Sequence, residues 1–178
     1  YTMSGNGFRL SEQASNLGAF AKREYVGFDA QLGIRSAIGL TQIRGEYLFG
    51  QQPGAAGGSK SPNASSLPAT DTYIRYFQGG YVMLVQELGN TPFALVGKYD
   101  WYDPNTDISG DEIGNTDLTG KGDVSKHTVG AGALWNINSA IRLQAFYEIN
   151  RNEKSARHDG VGKDLKDDGV TLRLQDKF

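Results

Sequence analysis

Basic side chains recur at alternate positions of several segments that would suit β-strands. Arg44, Lys98, Arg142 and Arg173 each stand between apolar or small neighbours, so that in a strand their side chains would point to one polar face. A ring of positive charge at a narrow level of a water-filled channel attracts anions and lowers the barrier to their passage. We therefore take these four residues as candidate pore-lining residues, with guidance of small anions, phosphate among them, as the predicted chemistry.

Acidic residues on the same inferred face leave a second interpretation open. Glu46, Asp100 and Glu148 fall toward the predicted outer half of their strands, and Asp167 lies where the last long loop meets the last strand. Carboxylates and basic groups on neighbouring strands can pair across a sheet. The same charged residues would then only form the hydrated lining of an unselective pore.

Other residues with reactive side chains are poorly arranged for catalysis or metal binding. Carboxylates crowd within residues 99–107, but this segment lacks the glycine and the final glutamate of an EF-hand loop, so a solvated turn is the better interpretation. His127 and His158 lack the spacing of a metal pair, and the chain has no cysteine. No Ser-His-Asp triad stands out. We expect no enzyme activity, no metal and no cofactor.

The elements that would position the charges are strands in which apolar and polar residues alternate. Most run for roughly the 9 to 11 residues that a tilted membrane strand needs, or longer. One of them, 73–88, has two fairly apolar faces, so its orientation stays open. The seven segments are 24–34, 37–49, 73–88, 93–102, 126–137, 141–150 and 170–178.

The connections between these segments alternate between short and long. Outer-membrane barrels have short turns on the periplasmic side and long loops on the exterior. The chain also stops on an aromatic residue, Phe178, which suits a membrane interface. We therefore predict an all-β protein, a transmembrane up-and-down antiparallel β-barrel of the bacterial outer membrane. The short turns are 35–36, 89–92 and 138–139, and the long loops are 51–72, 103–125 and 151–167.

Seven strands do not close a barrel with an even number of strands. We expect the chain to be the carboxy-terminal 7 to 8 strands of a barrel of about 16. Residues 1–178 would form a single domain, in which residues 1–23 are a loop or partial strand that could hide an eighth strand. The chain opens on Tyr1 without an export signal, which agrees with a missing amino-terminal part.

Aromatic positions offer an independent test of this topology, because lipid-facing rings should lie at strand ends. A soluble β-sandwich is the alternative, but its strands average about 5 to 6 residues and are shorter than those predicted here. The expected outer aromatics are Phe49, Tyr73, Trp101 and Tyr147, and the expected periplasmic ones are Phe93, Trp135 and Phe178.

The composition agrees with a barrel and limits the kinds of binding partner to be expected. The 178 residues carry a net charge of −2, and the mean hydropathy is only −0.46, as expected where every second residue is polar. The near-neutral charge argues against nucleic acid. We expect the lipid bilayer and lipopolysaccharide around the wall, and the barrel-assembly machinery at Phe178. Small lipid-facing residues could form a flat subunit contact or ordinary wall: Gly97, Ala131, Ala133 and Ala145.

Three segments resemble the phosphate-selective porin family of the O/P type, especially its forms in Bacteroidetes-like bacteria. They are KYDWYDPNTDISGDE at 98–112, FQGGYVMLVQELG at 77–89 and LRLQDKF at 172–178, and the resemblance covers roughly residues 73–178. It implies a 16-stranded homotrimeric porin with inward-folded loops. From the family's basic lumen residues it implies Lys98, Arg142 and Arg173 as anion guides.

The predicted function is passive diffusion of small hydrophilic solutes, with a preference for small anions as the finer expectation. Two other functions stay open. A blocked lumen would favour a non-conducting structural or accessory subunit of an outer-membrane complex. A clustered Ser-His or Asp-His set would favour a barrel enzyme.

Overall fold

The computed structural model describes residues 2–9, 20–54, 57–58, 73–116, 119–157 and 162–176, with only the backbone described for 2–9 and 20–21. These residues form eight strands and two short 3-10 helices. The strands are β1 (Thr2–Arg9), β2 (Phe20–Ser36), β3 (Gly39–Gly54), β4 (Tyr73–Glu87), β5 (Phe93–Asp103), β6 (Lys126–Asn136), β7 (Ile141–Asn152) and β8 (Gly169–Asp176). The 3-10 helices are Gly110–Glu112 and Lys121–Asp123.

All eight strands belong to one sheet, in which every strand is antiparallel to its neighbour in sequence. The predicted all-β class and up-and-down order are confirmed. Within the described residues β1 and β8 each pair on one side only, so the sheet is not closed. The strand that residues 1–23 could hide is β1.

Strand boundaries differ from the predicted ones mainly between β2 and β3. The turn lies at residues 37–38 rather than 35–36, because Arg35 and Ser36 still pair with Leu40 and Gly39. Gly39 has a φ of 113°, which favours glycine. At their other ends the two strands continue to Phe20 and Gly54, so residues 51–54, predicted as loop, are strand.

No helix among the described residues is long and apolar enough to span a membrane.

The strand register sorts the side chains of β2–β8 onto two faces, which we call the apolar face and the polar face. Large hydrophobic side chains of the apolar face are exposed, with Phe28 63% and Leu172 73% accessible. In contrast, Phe77, Ala94, Ile113 and Val124 are the buried hydrophobic residues of the described part. Most of the apolar surface of this sheet therefore faces outward rather than into a core.

The register also decides the orientation of β4, which alternation left open. Arg44 pairs with Met83, and Gln42 pairs with Val85, so Met83 and Val85 lie on the polar face. Leu84 pairs with Ile43, which places it on the apolar face, where it is 44% exposed. The neighbouring strands, rather than the sequence of β4 itself, therefore fix its two faces.

Candidate functional site

The register places all four candidate residues, Arg44, Lys98, Arg142 and Arg173, on the polar face, where they fall into two groups. Arg44 and Lys98 lie in one row across the sheet, since both pair with Met83. Arg142 and Arg173 lie together on β7 and β8, nearer the short turns. The four residues therefore do not form one ring at a single level.

Lys98 and Arg44 differ in how far their charge is neutralised. Lys98 Nζ lies 2.9 Å from Asp100 Oδ2, so its charge is largely compensated. Arg44 donates from NH2 to Gln42 Oε1 over 2.9 Å, while its Nε is buried and has no hydrogen-bond partner in the described part. Of this pair, Arg44 forms no ion pair with a described carboxylate, so its charge is the more available to a solute.

Arg142 and Arg173 are both exposed. Arg142 donates from Nε to Asn136 Oδ1 over 2.8 Å and pairs in the ladder with Gln175. Arg173 lies opposite Gln144. Their ladder partners are neutral, so both guanidinium groups can attract anions.

Acidic residues form the next row toward the long loops. Asp29 pairs with Glu46, Glu46 with Tyr81, and Tyr81 with Asp100. This row is adjacent to the row of Arg44 and Lys98, as the predicted acidic outer half requires. Glu148 departs from that pattern, because through Gly130 it shares the row of Lys98.

Aromatic rings run across the apolar face near the long loops. Phe28 contacts Phe49, Phe49 contacts Tyr47, and Tyr47 contacts Trp101, with centroids 5.7 to 6.4 Å apart. The series continues through Tyr99 to His127, at 5.6 and 6.2 Å. We call these rings the outer aromatic band: Phe28, Phe49, Tyr47, Trp101, Tyr99 and His127.

A glycine makes part of this band possible. Gly80 lies between Tyr47 and Trp101 in the register. A Cβ atom at this position would approach Trp101 Cζ2 to 2.9 Å. Because Gly80 has no side chain, the two rings meet over its backbone.

The opposite end of the apolar face carries Phe93 and Trp135, whose rings stack with centroids 6.0 Å apart. Of the predicted interface aromatics, Phe49, Trp101, Tyr147, Phe93 and Trp135 therefore lie on the apolar face. Phe178 lies outside the described residues.

Tyr73 was wrongly predicted to face lipid. It pairs with Gly54 on the polar face, one position from the apolar-face residue Ile74. Its hydroxyl donates to Asp123 Oδ1 over 2.6 Å and accepts from Arg75 Nε at 3.0 Å. The register therefore sets the side on which the ring lies, and Asp123 and Arg75 hold its hydroxyl there.

That ion pair, Arg75 with Asp123, was not predicted from the sequence. Arg75 Nε lies 2.8 Å from Asp123 Oδ1, and both side chains are fully buried. Asp123 also accepts from Asn105 Nδ2 at 2.9 Å and from the Gly120 amide at 2.8 Å. Arg75 donates a further bond to the Gly58 carbonyl over 2.9 Å. Strand β4 and two long loops therefore meet at one charged pair.

The third long loop is hydrogen-bonded to the same loop region. Glu153 accepts from the Gly110 amide at 2.7 Å and from Ser125 Oγ at 2.9 Å. Ser155 Oγ donates to the carbonyl of the buried Ile113 over 2.7 Å. We call the described parts of 104–125, with Gly58, Arg75, Glu153 and Ser155, the loop cluster. It lies at the end of the sheet opposite the short turns and is joined to the polar face through Arg75.

The candidate metal ligands do not come together. Asp100 pairs with Lys98, Asp103 accepts from the Asn105 amide at 3.0 Å, and Asp107 is exposed. His127 Nδ1 lies 3.0 Å from the Tyr99 hydroxyl on the apolar face, whereas His158 lies outside the described residues. In the described part no group of three histidine or acidic side chains could hold a metal ion.

No protein-family model matches the chain, and neither curated proteins nor solved structures gave a significant match. The resemblance to phosphate-selective porins therefore stays a prediction.

Proposed function

We propose that this sheet is part of the wall of an outer-membrane barrel through which small hydrophilic solutes diffuse. One observation carries the proposal. One face of the sheet is exposed and apolar, with aromatic rings near both ends, and the opposite face carries most of the sheet's charges. In a soluble sandwich such a face would pack on a second sheet. Lipid is the apolar solvent that suits a face of this size and shape.

The height of the apolar face supports the same proposal. Trp101 lies eight positions after Phe93 on β5. At about 3.4 Å per residue the separation is about 27 Å along the strand, and a tilt of about 40° reduces it to about 20 Å. Barrels in outer membranes have an apolar band about 25 Å tall between their aromatic girdles.

The two tryptophans of the sequence give a direct test, because they lie at opposite ends of this face. In lipid vesicles, full-length variants in which Trp101 or Trp135 is the single remaining tryptophan should both be quenched by brominated lipids. Bromine near the headgroup should quench each more strongly than bromine near the chain end, since both rings would lie at the interfaces. Fluorescence that neither lipid quenches would contradict a lipid-facing surface.

A preference for anions is the finer part of the proposal. Arg44, Arg142 and Arg173 support it, because none of them forms an ion pair with a described carboxylate. The acidic row of Asp29, Glu46 and Asp100 works against it. We place the attraction of anions at the short-turn half of the polar face, where Arg142 and Arg173 have neutral ladder partners.

Ion selectivity tests this finer part. In a planar bilayer with a salt gradient, the full-length protein should give a reversal potential of anion-selective sign, and phosphate should block the current. The double variant Arg142→Gln, Arg173→Gln should lower the anion-to-cation permeability ratio about twofold or more at about 0.1 M salt, where each charge acts over about 10 Å of water. An unchanged ratio would leave an unselective porin.

The wider assembly is proposed on the resemblance and on barrel topology. It comprises about 16 strands, a homotrimer, lipopolysaccharide around the wall and the barrel-assembly machinery at Phe178. Small residues on the apolar face suit a subunit contact, since Gly97 pairs with Ala131 and Ala133 pairs with Ala145. The corresponding location is the bacterial outer membrane.

A non-conducting accessory barrel is the second candidate function, and the loop cluster favours it. Loop residues are fixed on the polar face through Arg75, where they would narrow or close the outer mouth of a barrel. Steady current from the full-length protein would reject this candidate, and its absence would support it.

A further inference from the structure

The polar face contains an elongated recess of about 330 Å³ between β3 and β7, near the short turns. Arg44 stands at its β3 side and Arg142 at its β7 side. Between them the floor is apolar: Met83, Val85, Ala94, Val96 and Leu134.

An apolar floor is unexpected on a face that would line a watery lumen. Its residues are neighbours in the register, since Val85 pairs with Val96 and Ala94 pairs with Leu134. Next to them the ring of Phe146 lies over Gly130 and Gly132, where a Cβ atom would overlap it. The floor is thus a continuous apolar strip rather than a single exception.

The charges at the recess favour an anion. Glu87 also lines it, so two arginines and one glutamate leave a net charge of +1. Arg44 and Arg142 form no ion pair with a described carboxylate. A solute carboxylate would accept charge-assisted hydrogen bonds from either guanidinium group.

We infer that this recess binds organic anions with an apolar body, such as aromatic or branched aliphatic monocarboxylates. The carboxylate contacts Arg44 or Arg142, and the hydrocarbon part covers the floor of Val85 and Val96. Inorganic phosphate and acetate gain only the charged contact. The inference rests on the proposed function, because the recess faces solutes only if the polar face lines a lumen.

Benzoate, acetate and benzyl alcohol separate the two contributions. They provide a charge with a ring, a charge with one methyl group, and the ring without a charge. In single-channel recordings of the full-length protein, benzoate should block the current transiently, with an apparent Kd about tenfold below that of acetate, because one ring face leaves water. Benzyl alcohol should not block. Equal Kd values for benzoate and acetate would overturn the inference.

Variants assign the effect to this recess. Val85→Thr with Val96→Thr keeps the side-chain shape and the strand propensity. It should raise the apparent Kd of benzoate severalfold and leave the Kd of acetate unchanged. Arg44→Gln should weaken both anions. Lys126→Gln, on the polar face but outside the recess, is the matched control and should change neither. If the threonine variant leaves the Kd of benzoate unchanged, the apolar floor does not contact the ligand and the inference is wrong.

A second measurement keeps the inference testable if no current is seen and the diffusion function itself fails. The folded full-length protein in detergent micelles should then bind benzoate more tightly than acetate in NMR titrations, and Val85→Thr with Val96→Thr should reduce that preference. No preference for benzoate in that titration would reject the site independently of conduction.

Discussion

Asp123→Ala should destabilise the loop cluster by about 3 to 5 kcal/mol, the usual effect of removing one partner of a buried ion pair. Arg75 would lose its carboxylate partner at 2.8 Å while remaining fully buried. Asn105 and Gly120 would lose their acceptor as well. Native-state hydrogen exchange of loop amides measures the change in opening free energy, with Gly110 as the reporter because its bond to Glu153 is not removed by the substitution.

Two further variants show whether the loss is specific to this pair. Asp107→Ala removes an exposed carboxylate from the same loop and should change the opening free energy little. Arg75→Met with Asp123→Leu removes both charges and should cost less than Asp123→Ala alone. Exchange that Asp123→Ala leaves unchanged would show that the ion pair does not hold the loops.

Val129→Arg should lower the free energy of unfolding in lipid vesicles by about 1 to 2 kcal/mol, because arginine would then face hydrocarbon between the midplane and the aromatic band. Val129 lies on the apolar face between Tyr99 and Ile149 and is 54% exposed. On the surface of a soluble protein, such a change from an exposed valine would be nearly neutral. Urea titration of the full-length protein in phosphatidylcholine vesicles measures the difference.

Thr128→Arg is the matched control for that experiment, one residue away on the polar face. It removes the hydrogen bond from Thr128 Oγ1 to Asn150 Oδ1 at 2.8 Å, but lies next to Asp100 in the register. We expect a change below about 1 kcal/mol. Equal effects of the two arginines would contradict a lipid-facing and a water-facing side.

Much of this fold is predictable because alternation is a local property. For each residue of β5 from Phe93 to Trp101, the alternation with its immediate neighbours predicts the face on which its side chain lies. The register of the structure agrees with this assignment. The two faces of β4 could not be told apart this way, because apolar residues also line the recess on the polar face. Its orientation depends on pairing with β3, which is a contact between distant parts of the sequence.

The candidate site was likewise predictable only where local alternation determines it. Arg44, Lys98, Arg142 and Arg173 could be assigned to one face by their neighbours in the sequence, but their separation into two groups needed the register. Arg75 and Asp123 are 48 positions apart. Asp123 stands in a glycine-rich loop segment with no periodic pattern, so nothing local marks it as a partner for a strand residue.

The two edges of this sheet have a consequence for how it can exist in a membrane. In the described structure the outer sides of β1 and β8 present backbone N–H and C=O groups without a neighbouring strand. In hydrocarbon each unsatisfied group costs several kcal/mol, and in water such edges recruit further strands and promote aggregation. In a bilayer, a sheet of this kind is stable only where other strands, from the same polypeptide or from another copy, cover both edges.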